Sequence, residues 1–464
     1  MDRNRVFAHL EERFGQTLQE VQSFLRTPSV SYTGVGIQET AGKLVGMIQA
    51  LGGTAEAVPT PGHPVVYGEI DAGARDTLLI YGMYDVMPAD EPDWIVDPWS
   101  ATIVEDFGGL GRCIVGRGAV NTKGPLSAFF ATLTAIKEAE GRLPVNLIFM
   151  IEGEEEFGSR NLPRFVEQYK AKLQRAGAMF FPFFDCDQEG TPFVTLGTKG
   201  LCYFELIAKG GEHGGPTTRG IHGSYAAWVN NPNWRLINAL ASMKNAQEEI
   251  LIEGFFDDAL PPDEEDWKIL RDLEAFREDE LFLQLQPVKR FKYDKRGAEL
   301  YRHLYFDPTL NIDGYASGYT EEGTKTLLPH RAVAKVDIRM VPNMEPEKTV
   351  ERVRAHLDRH GFTDIELRVM NLYPWAKVSV RERVVQALIR SYEDLGRRPR
   401  VVPLNPGSAP YYLFQRTLKM PFISGGLGHG DRQHSSNEYC TVEGILDFQK
   451  SVVAFFDNYV KAGQ

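Results

Sequence analysis

The chain has 464 residues, 43% hydrophobic and 25% charged, the make-up of a globular protein with room for two or three domains. Its net charge is −12 at pH 7, with Lys and Arg scattered among acids. No basic face is available for a phosphate backbone, so nucleic acid is excluded as an expected partner. No run of about 18 apolar residues spans a bilayer, and the opening "MDRNRVFAHLEERFGQTLQEV" patterns as a charged amphipathic helix, not a signal peptide. A soluble cytoplasmic protein without a membrane partner is therefore expected. Cys113, Cys186, Cys202 and Cys440 are widely separated, with no C-x-x-C, and are expected to be reduced thiols.

Along the first two hundred residues, helix-period and strand-like segments alternate. "LQEVQSFLRTPSVS" predicts a helix stopped at a Pro loop, and "ETAGKLVGMIQALGG" a helix ended by Gly. "TLLIYGMYD" predicts a buried strand, "PLSAFFATLTAIKEAEGR" a helix opened by Pro125, and "PVNLIFMIE" another strand. Such alternation predicts an α/β layered sheet whose functional groups sit in loops leaving the strand ends. From about Leu201 the pattern changes: the strand "LCYFELIAKGG" precedes an acidic insert, "DDALPPDEEDWKILRDLEAFRED", expected to be a solvated surface helix. "AVAKVDIRMV" and "EKTVERVRAHLDRHG" then predict a strand and a helix of a smaller α+β unit. "VVQALIRSYEDLG" starts a return to sheet-like segments that ends in "DFQKSVVAFFDNYV". There is no internal repeat.

Chemistry concentrates in "FMIEGEEEFGS", where Glu152, Glu154, Glu155 and Glu156 follow an apolar run. Acids ahead of "FGSRNLPRFVEQY" could serve only to favour a helix N-terminus through its dipole. The alternative is functional: one glutamate ligates a cation while its neighbour takes a proton from water. Asp185 in "FFDCDQ", and His222 and His434 in Gly-flanked loops, are candidate partners, although a lone loop histidine is commonly a surface residue. A nucleotide site is rejected: in "GRGAVNTKGP" Lys123 precedes its glycine, whereas a P-loop needs G-K-[ST] after four spacers.

In order along the chain, "YGMYDV", "GRGAVNTKGP", "EGEEEFGS", "FDCD", "LGTKGLCYFEL", "IHGS", "AKVDIRMVPNM", "PGSAP" and "HSSNE" resemble one family, from about Val21 to Val460. It is the two-zinc peptidase family of carnosinase-type dipeptidases, glutamate carboxypeptidases, aminoacylases and desuccinylases. The resemblance implies a zinc-peptidase-like α/β/α catalytic domain, residues 1–200 and 381–464, interrupted by a ferredoxin-like α+β lid and dimerisation domain, residues 201–380. It also implies Glu155 as general base, Glu156 and His434 as ligands of one metal, and Asp185 as a ligand of the other. Asp85 would orient a ligand from behind. His222 would reach the active site of a neighbouring subunit in a homodimer to stabilise the oxyanion, while Arg339, Asn311, Gly407 and Ser408 would hold the carboxylate end of a small peptide-like substrate.

Two positions depart from the family pattern. Met83 stands where the family has its first histidine ligand, and Asn121 where it has the bridging aspartate, with Thr122 in place of the second aspartate. A thioether is a soft ligand suited to Cu(I), and a neutral amide bridges two dications poorly; Met83 also has an ordinary reading as a packing residue. The expected cofactor is therefore a single divalent ion, zinc first and manganese or cobalt next, at Glu156 and His434 with Asn121 as a weak third ligand and Asp185 as a possible addition. The second site should be weak or empty. The expected activity is hydrolysis of amide bonds in dipeptides or N-acyl amino acids. A catalytically silent relative that binds a peptide-like ligand, and altered or metal-free chemistry on the same site, stay open. The substrate-shaping insert, residues 252–300, matches no readable motif.

Overall fold

The computed structural model describes residues 1–463, which divide into two compact units. The first contains Met1–Leu196, Val378–Val402 and the chain from Leu413 onward; the second contains Gly197–Lys377 and Pro403–Tyr412. The sequence reading drew boundaries a few residues away and kept 381–464 in one piece. The short stretch around Gly407 and Ser408 instead groups with the second unit, where Lys199 N–H donates to Asn405 O and Ser408 Oγ to Lys199 O. Those pairings are between residues some two hundred apart, which no local pattern reveals.

The first unit is built on a six-stranded sheet in the order Thr54–Val58, Val65–Ile70, Asn146–Glu152, Thr77–Met83, Ala178–Pro182, Phe422–Gly425. The last four strands are mutually parallel, and the first two add an antiparallel edge. Parallel strands are covered on both faces and so read as continuous apolar runs; Leu78–Met83 and Leu147–Glu152 are buried throughout. The helix Lys123–Glu140 packs on this sheet with Pro125 inside its first turn, where a missing N–H costs nothing. The long helix Val442–Lys461 buries Phe448, Phe455, Phe456 and Tyr459 and stacks Phe455 on Phe180 at 4.3 Å. Each such ring contributes about 1.5–3 kcal/mol by leaving water. Among the described residues no helix is long and apolar enough to cross a membrane, and all four cysteines are free.

The second unit contains strand Gly200–Lys209, helix Pro232–Met243, strands Thr309–Ser317 and Arg331–Met340, helix Pro346–Arg359 and strand Glu366–Tyr373. Its antiparallel sheet runs Thr309–Ser317, Arg331–Met340, Gly200–Lys209, Glu366–Tyr373, a βαββαβ ferredoxin-like arrangement. Cys202, Phe204, Leu206 and Ala208 alternate into a core with Leu236, Met243, Val336, Ile338, Val353 and Leu357. The acidic insert corrects the expectation of one solvated helix. Its residues, 257–279, form helix Glu264–Asp272, the turn Leu273–Phe276 and the start of helix Glu278–Leu285, and these pack on the following helix Gly297–Phe306; Ile269, Leu270, Leu273, Tyr301 and Tyr305 are buried. Asp266 is buried as well and pairs with Lys377. A run of acids hid an amphipathic stripe, because apolar side chains three and four apart need a partner surface that the sequence does not display.

Candidate metal centre and acid cluster

The site in the first unit grows from the C-terminal ends of its four parallel strands, the position where open α/β sheets bind ligands. Met83 and Glu152 end neighbouring strands in register, Asp185 follows Ala178–Pro182, and His434 lies in the loop Arg432–Glu438, beyond Phe422–Gly425. At Gly153 a Cβ would come within 2.5 Å of the Tyr84 ring, so only glycine lets the chain turn there toward the glutamates.

Of the four clustered acids, two are structural. Glu152 accepts from Tyr81 Oη at 2.6 Å and Ser159 Oγ at 3.0 Å, and burial pushes its carboxyl up to about 8. Glu154 accepts from His63 N–H at 3.1 Å and Asn161 Nδ2 at 2.7 Å. Glu155 and Glu156 are left for chemistry, and their backbone N–H groups donate at 3.1 and 3.0 Å to the two oxygens of the fully buried Asp85. Asp85 therefore fixes the turn that carries both glutamates.

Three polar side chains converge above that turn. Glu156 lies 2.9 Å from His434 Nε2, and the Asn121 amide lies 2.6 Å from Glu156 Oε1 and 3.1 Å from His434 Nε2. With Nδ2 turned inward, Asn121 donates to Glu156; turned by half a rotation, the same amide presents Oδ1, a metal ligand. The loop bearing His434 is tightly wound, with Arg432, His434 and Asn437 all at φ near +60°, a conformation rare outside glycine and concentrated at functional sites. Met83 is buried at 3% exposure and its carbonyl accepts from Thr122 Oγ1 at 2.8 Å. Asp185 does not join the three: its carboxylate has no hydrogen-bond partner among the described residues. Nor does any trio of His, Cys, Asp or Glu ligand atoms close to within 4.8 Å around Glu156 and His434.

The sequence reading missed two groups that hold Asn121 in place. Glu438, 1% exposed, accepts backbone N–H bonds from Gly118, Val120 and Asn121 at 3.0, 3.1 and 2.9 Å, and pairs with the equally buried Arg117 at 3.0 Å. Both stand inside quoted motifs, at the end of "HSSNE" and the start of "GRGAVNTKGP". Their signal was the cost of burying a charge, since neither could be buried without the other.

Electrostatics in the cluster is dominated by desolvation. Burial raises Glu155 well above the ordinary carboxyl range, and the charges of Glu156, Glu152 and Asp85 add to it. Burial first and Glu156 next push Asp85 up to about 7, against the pull of the two backbone N–H groups. Asp185 is pushed up to about 7 by burial alone. His434 is raised, chiefly by its hydrogen bond to Glu156. Burial thus disfavours the ionised form of these acids, which a nearby positive charge would favour.

In the second unit, Arg339 Nε donates to Asp337 at 2.9 Å and its Nη1 to Ser408 Oγ at 3.1 Å. Asn311 donates to Asp313 at 2.9 Å, and Gly407 N–H to Asn405 Oδ1 at 2.7 Å. Asn311 and Arg339 line a cavity of about 1290 Å³ together with Asp313, Asp337, Lys244 and Asp307. Buried Lys199, which the sequence reading did not single out, donates to Asp307 O at 2.8 Å and is brought down to about 8 by burial. His222 is exposed and lies apart from this lining, with Nδ1 2.8 Å from Ser224 Oγ and Nε2 3.1 Å from Thr326 Oγ1.

The model of peptidase family M20/M25/M40 matches residues 79–458, which contain every strand end described above except the antiparallel edge. The chain belongs to that family. Within peptidase family M20/M25/M40, it is 29% identical over 423 residues to the human Beta-Ala-His dipeptidase, covering 86% of this chain and 78% of the relative. It is 30% identical over 406 residues to a Cys-Gly metallodipeptidase of Schizosaccharomyces pombe, covering 84% and 81%. Among solved structures, an M20-family metallo-carboxypeptidase of Sulfolobus solfataricus superposes with TM-score 0.87 at 36% identity, over 96% of this chain and 99% of that one. Human carnosine dipeptidase 1 gives 0.80 at 25% identity, over 99% of both.

Proposed function

We propose that this M20/M25/M40 family member is a metallopeptidase that hydrolyses the amide bond of dipeptides or N-acyl amino acids with one divalent ion at its acid cluster. The observation that carries the reading is the convergence of Asn121, Glu156 and His434 beside an unpartnered Glu155. A carboxylate, an imidazole and an amide oxygen suit one zinc with an open position, whereas Asp185 alone offers too little for a second. When bound, such an ion supplies Lewis acidity to the scissile carbonyl and to water.

Glu155, beside Glu156 on the turn fixed by Asp85, accepts the proton of the attacking water and returns it to the leaving amine nitrogen. Glu156 cannot take that part, because its carboxylate is engaged by His434 and Asn121. By family resemblance we assign Arg339, Asn311, Gly407 and Ser408 to the substrate carboxylate. Arg339 supports the assignment, since Asp337 and Ser408 hold its guanidinium while leaving further N–H groups to donate.

One observation favours a second reading, a silent relative that binds a peptide-like ligand. The Asn121–Glu156–His434 trio is already satisfied by its own hydrogen bonds when His434 is protonated. Elemental analysis after exhaustive dialysis, with turnover on a dipeptide and N-acyl amino acid panel, separates the two. One ion fewer in His434→Ala than in wild type, with turnover in wild type, is expected. Equal ion content in wild type and His434→Ala, without turnover but with a dipeptide still bound, carries the second reading.

We further propose a homodimer through the second unit, with His222 serving the neighbouring subunit. Support comes from exposed Trp234 and Ile237 on helix Pro232–Met243 and exposed Ile312 and Tyr315 on the edge strand Thr309–Ser317, where the Tyr315 hydroxyl reaches Asn233. Sedimentation at micromolar concentration should give twice the chain mass, and a Trp234→Glu variant half of it. A wild-type monomer removes the dimer and the role of His222 with it.

A further inference from the structure

Far along the chain from the acid cluster, and wholly within the second unit, Glu253, His356 and His360 bring three ligand atoms within 4.8 Å of one another. They are the only trio of His, Cys, Asp or Glu among the described residues to do so. His356 lies in the last turn of helix Pro346–Arg359 and His360 caps it, four residues on, so both rings project from one face. The rings stack at 4.2 Å. The Glu253 carboxylate sits against both, with Oε2 2.7 Å from His356 Nδ1 and Oε1 3.2 Å from His360 Nε2.

The hydrogen bonds behind His356 fix what it presents. Ser242 Oγ gives its only proton to Ala239 O at 2.7 Å, so toward His356 Nε2, 3.2 Å away, it can only accept. Nε2 therefore carries hydrogen, and Nδ1 of the neutral ring is a lone pair facing a carboxylate. That pairing is repulsive unless a positive charge lies between them, and His356 is only 1% exposed. A proton on His356 alone, with neutral His360 donating through Nε2–H, also satisfies the carboxylate, at the cost of an imidazolium buried to 1% exposure and of Arg359 2.9 Å from the same carboxylate. A single dication satisfies both nitrogens and the carboxylate with neutral rings, and Arg359, 59% exposed, is free to turn to solvent.

We propose that Glu253, His356 and His360 form a binding site for one borderline divalent metal of the zinc class, separate from the acid cluster. Neutral imidazole nitrogens and a carboxylate are zinc ligands, the two histidines have the H-x3-H spacing of such sites, and Ser242 is the outer hydrogen bond that fixes the tautomer. The ion would tie the loop of Glu253 to the end of helix Pro346–Arg359, while Ser242 belongs to helix Pro232–Met243, so the site clamps the two helices of the βαββαβ unit.

The test uses the full-length chain, stripped of metal and titrated with Zn²⁺, with Co²⁺ as the spectroscopic probe. Wild type should bind one more zinc per chain than His360→Ala or Glu253→Gln, and both variants should lose a set of cobalt d–d bands that His434→Ala retains. Ser242→Ala should keep the bands but weaken zinc at this site by about 10- to 100-fold. Both ligand side chains are about two-fifths exposed, so the variants should fold, with the circular dichroism of wild type as the check. Equal zinc stoichiometry and cobalt spectra in wild type, His360→Ala and Glu253→Gln overturn the proposal. Because the comparison is between these variants and His434→Ala, it stands or falls independently of hydrolysis at the acid cluster.

Discussion

Glu155→Gln should lower kcat/KM for dipeptide hydrolysis by about 10²- to 10⁴-fold while leaving the metal content of the protein unchanged. The substitution is nearly isosteric, and the Glu155 carboxylate has no protein partner to lose, so neither packing nor a hydrogen bond is disturbed. What disappears is the ability to accept a proton. The variant even removes one negative charge from a crowded group in which Glu156, Glu152 and Asp85 all raise the Glu155 carboxyl, so its fold should be no less stable than the parent. Turnover measured with elemental analysis on the same preparation decides the matter. A kcat/KM within about three-fold of wild type would show that another group takes the proton.

Restoring Met83→His together with Asn121→Asp should yield a chain that holds one more divalent ion than the parent and turns over dipeptides or N-acyl amino acids about 10- to 100-fold faster. The added aspartate replaces an amide that already touches both Glu156 and His434, and the added histidine ends the strand beside Asp85. Asp85 has both oxygens engaged by the Glu155 and Glu156 N–H groups, yet each keeps a second lone pair with which to orient that histidine. Either single variant should do less. A histidine alone sits at a 3% exposed position without a metal partner, which costs about 1–3 kcal/mol, and an aspartate alone adds charge to an acid cluster with no second ion to absorb it. The added ion without any hydrolysis across the panel would mean that the pocket has changed use, and the ligand-binding reading would replace the hydrolase.

These two expectations rest on different kinds of knowledge. Period and composition alone were enough for the alternation of the first two hundred residues, because a strand covered on both faces must be a run such as "TLLIYGM" and a helix between sheet and solvent must show a stripe. The ordered motifs were enough for the family, and the strand ends and Gly-flanked loops that carry Glu155, Glu156 and His434 were legible as such. Met83 and Asn121 were legible as departures from the family pattern, because each is a change of residue type at a fixed place in an ordered motif.

Only the folded chain divided the acids of "EGEEE" into structural and available ones. That division depends on Tyr81, His63 and Asn161, which lie up to about 90 positions away in sequence and meet the glutamates through the sheet and its loops. The same holds for Glu438 and Arg117, whose charges are tolerable in the interior only as a pair separated by 321 residues. It holds again for the insert, whose apolar side chains needed partners before they counted as core, and for Glu253 with His356 and His360, 103 residues apart at the closest contact. Local propensity and pattern act over one or two turns of chain, whereas the desolvation of a charge and the closing of a ligand set are decided by whatever the tertiary fold brings within about 3 Å.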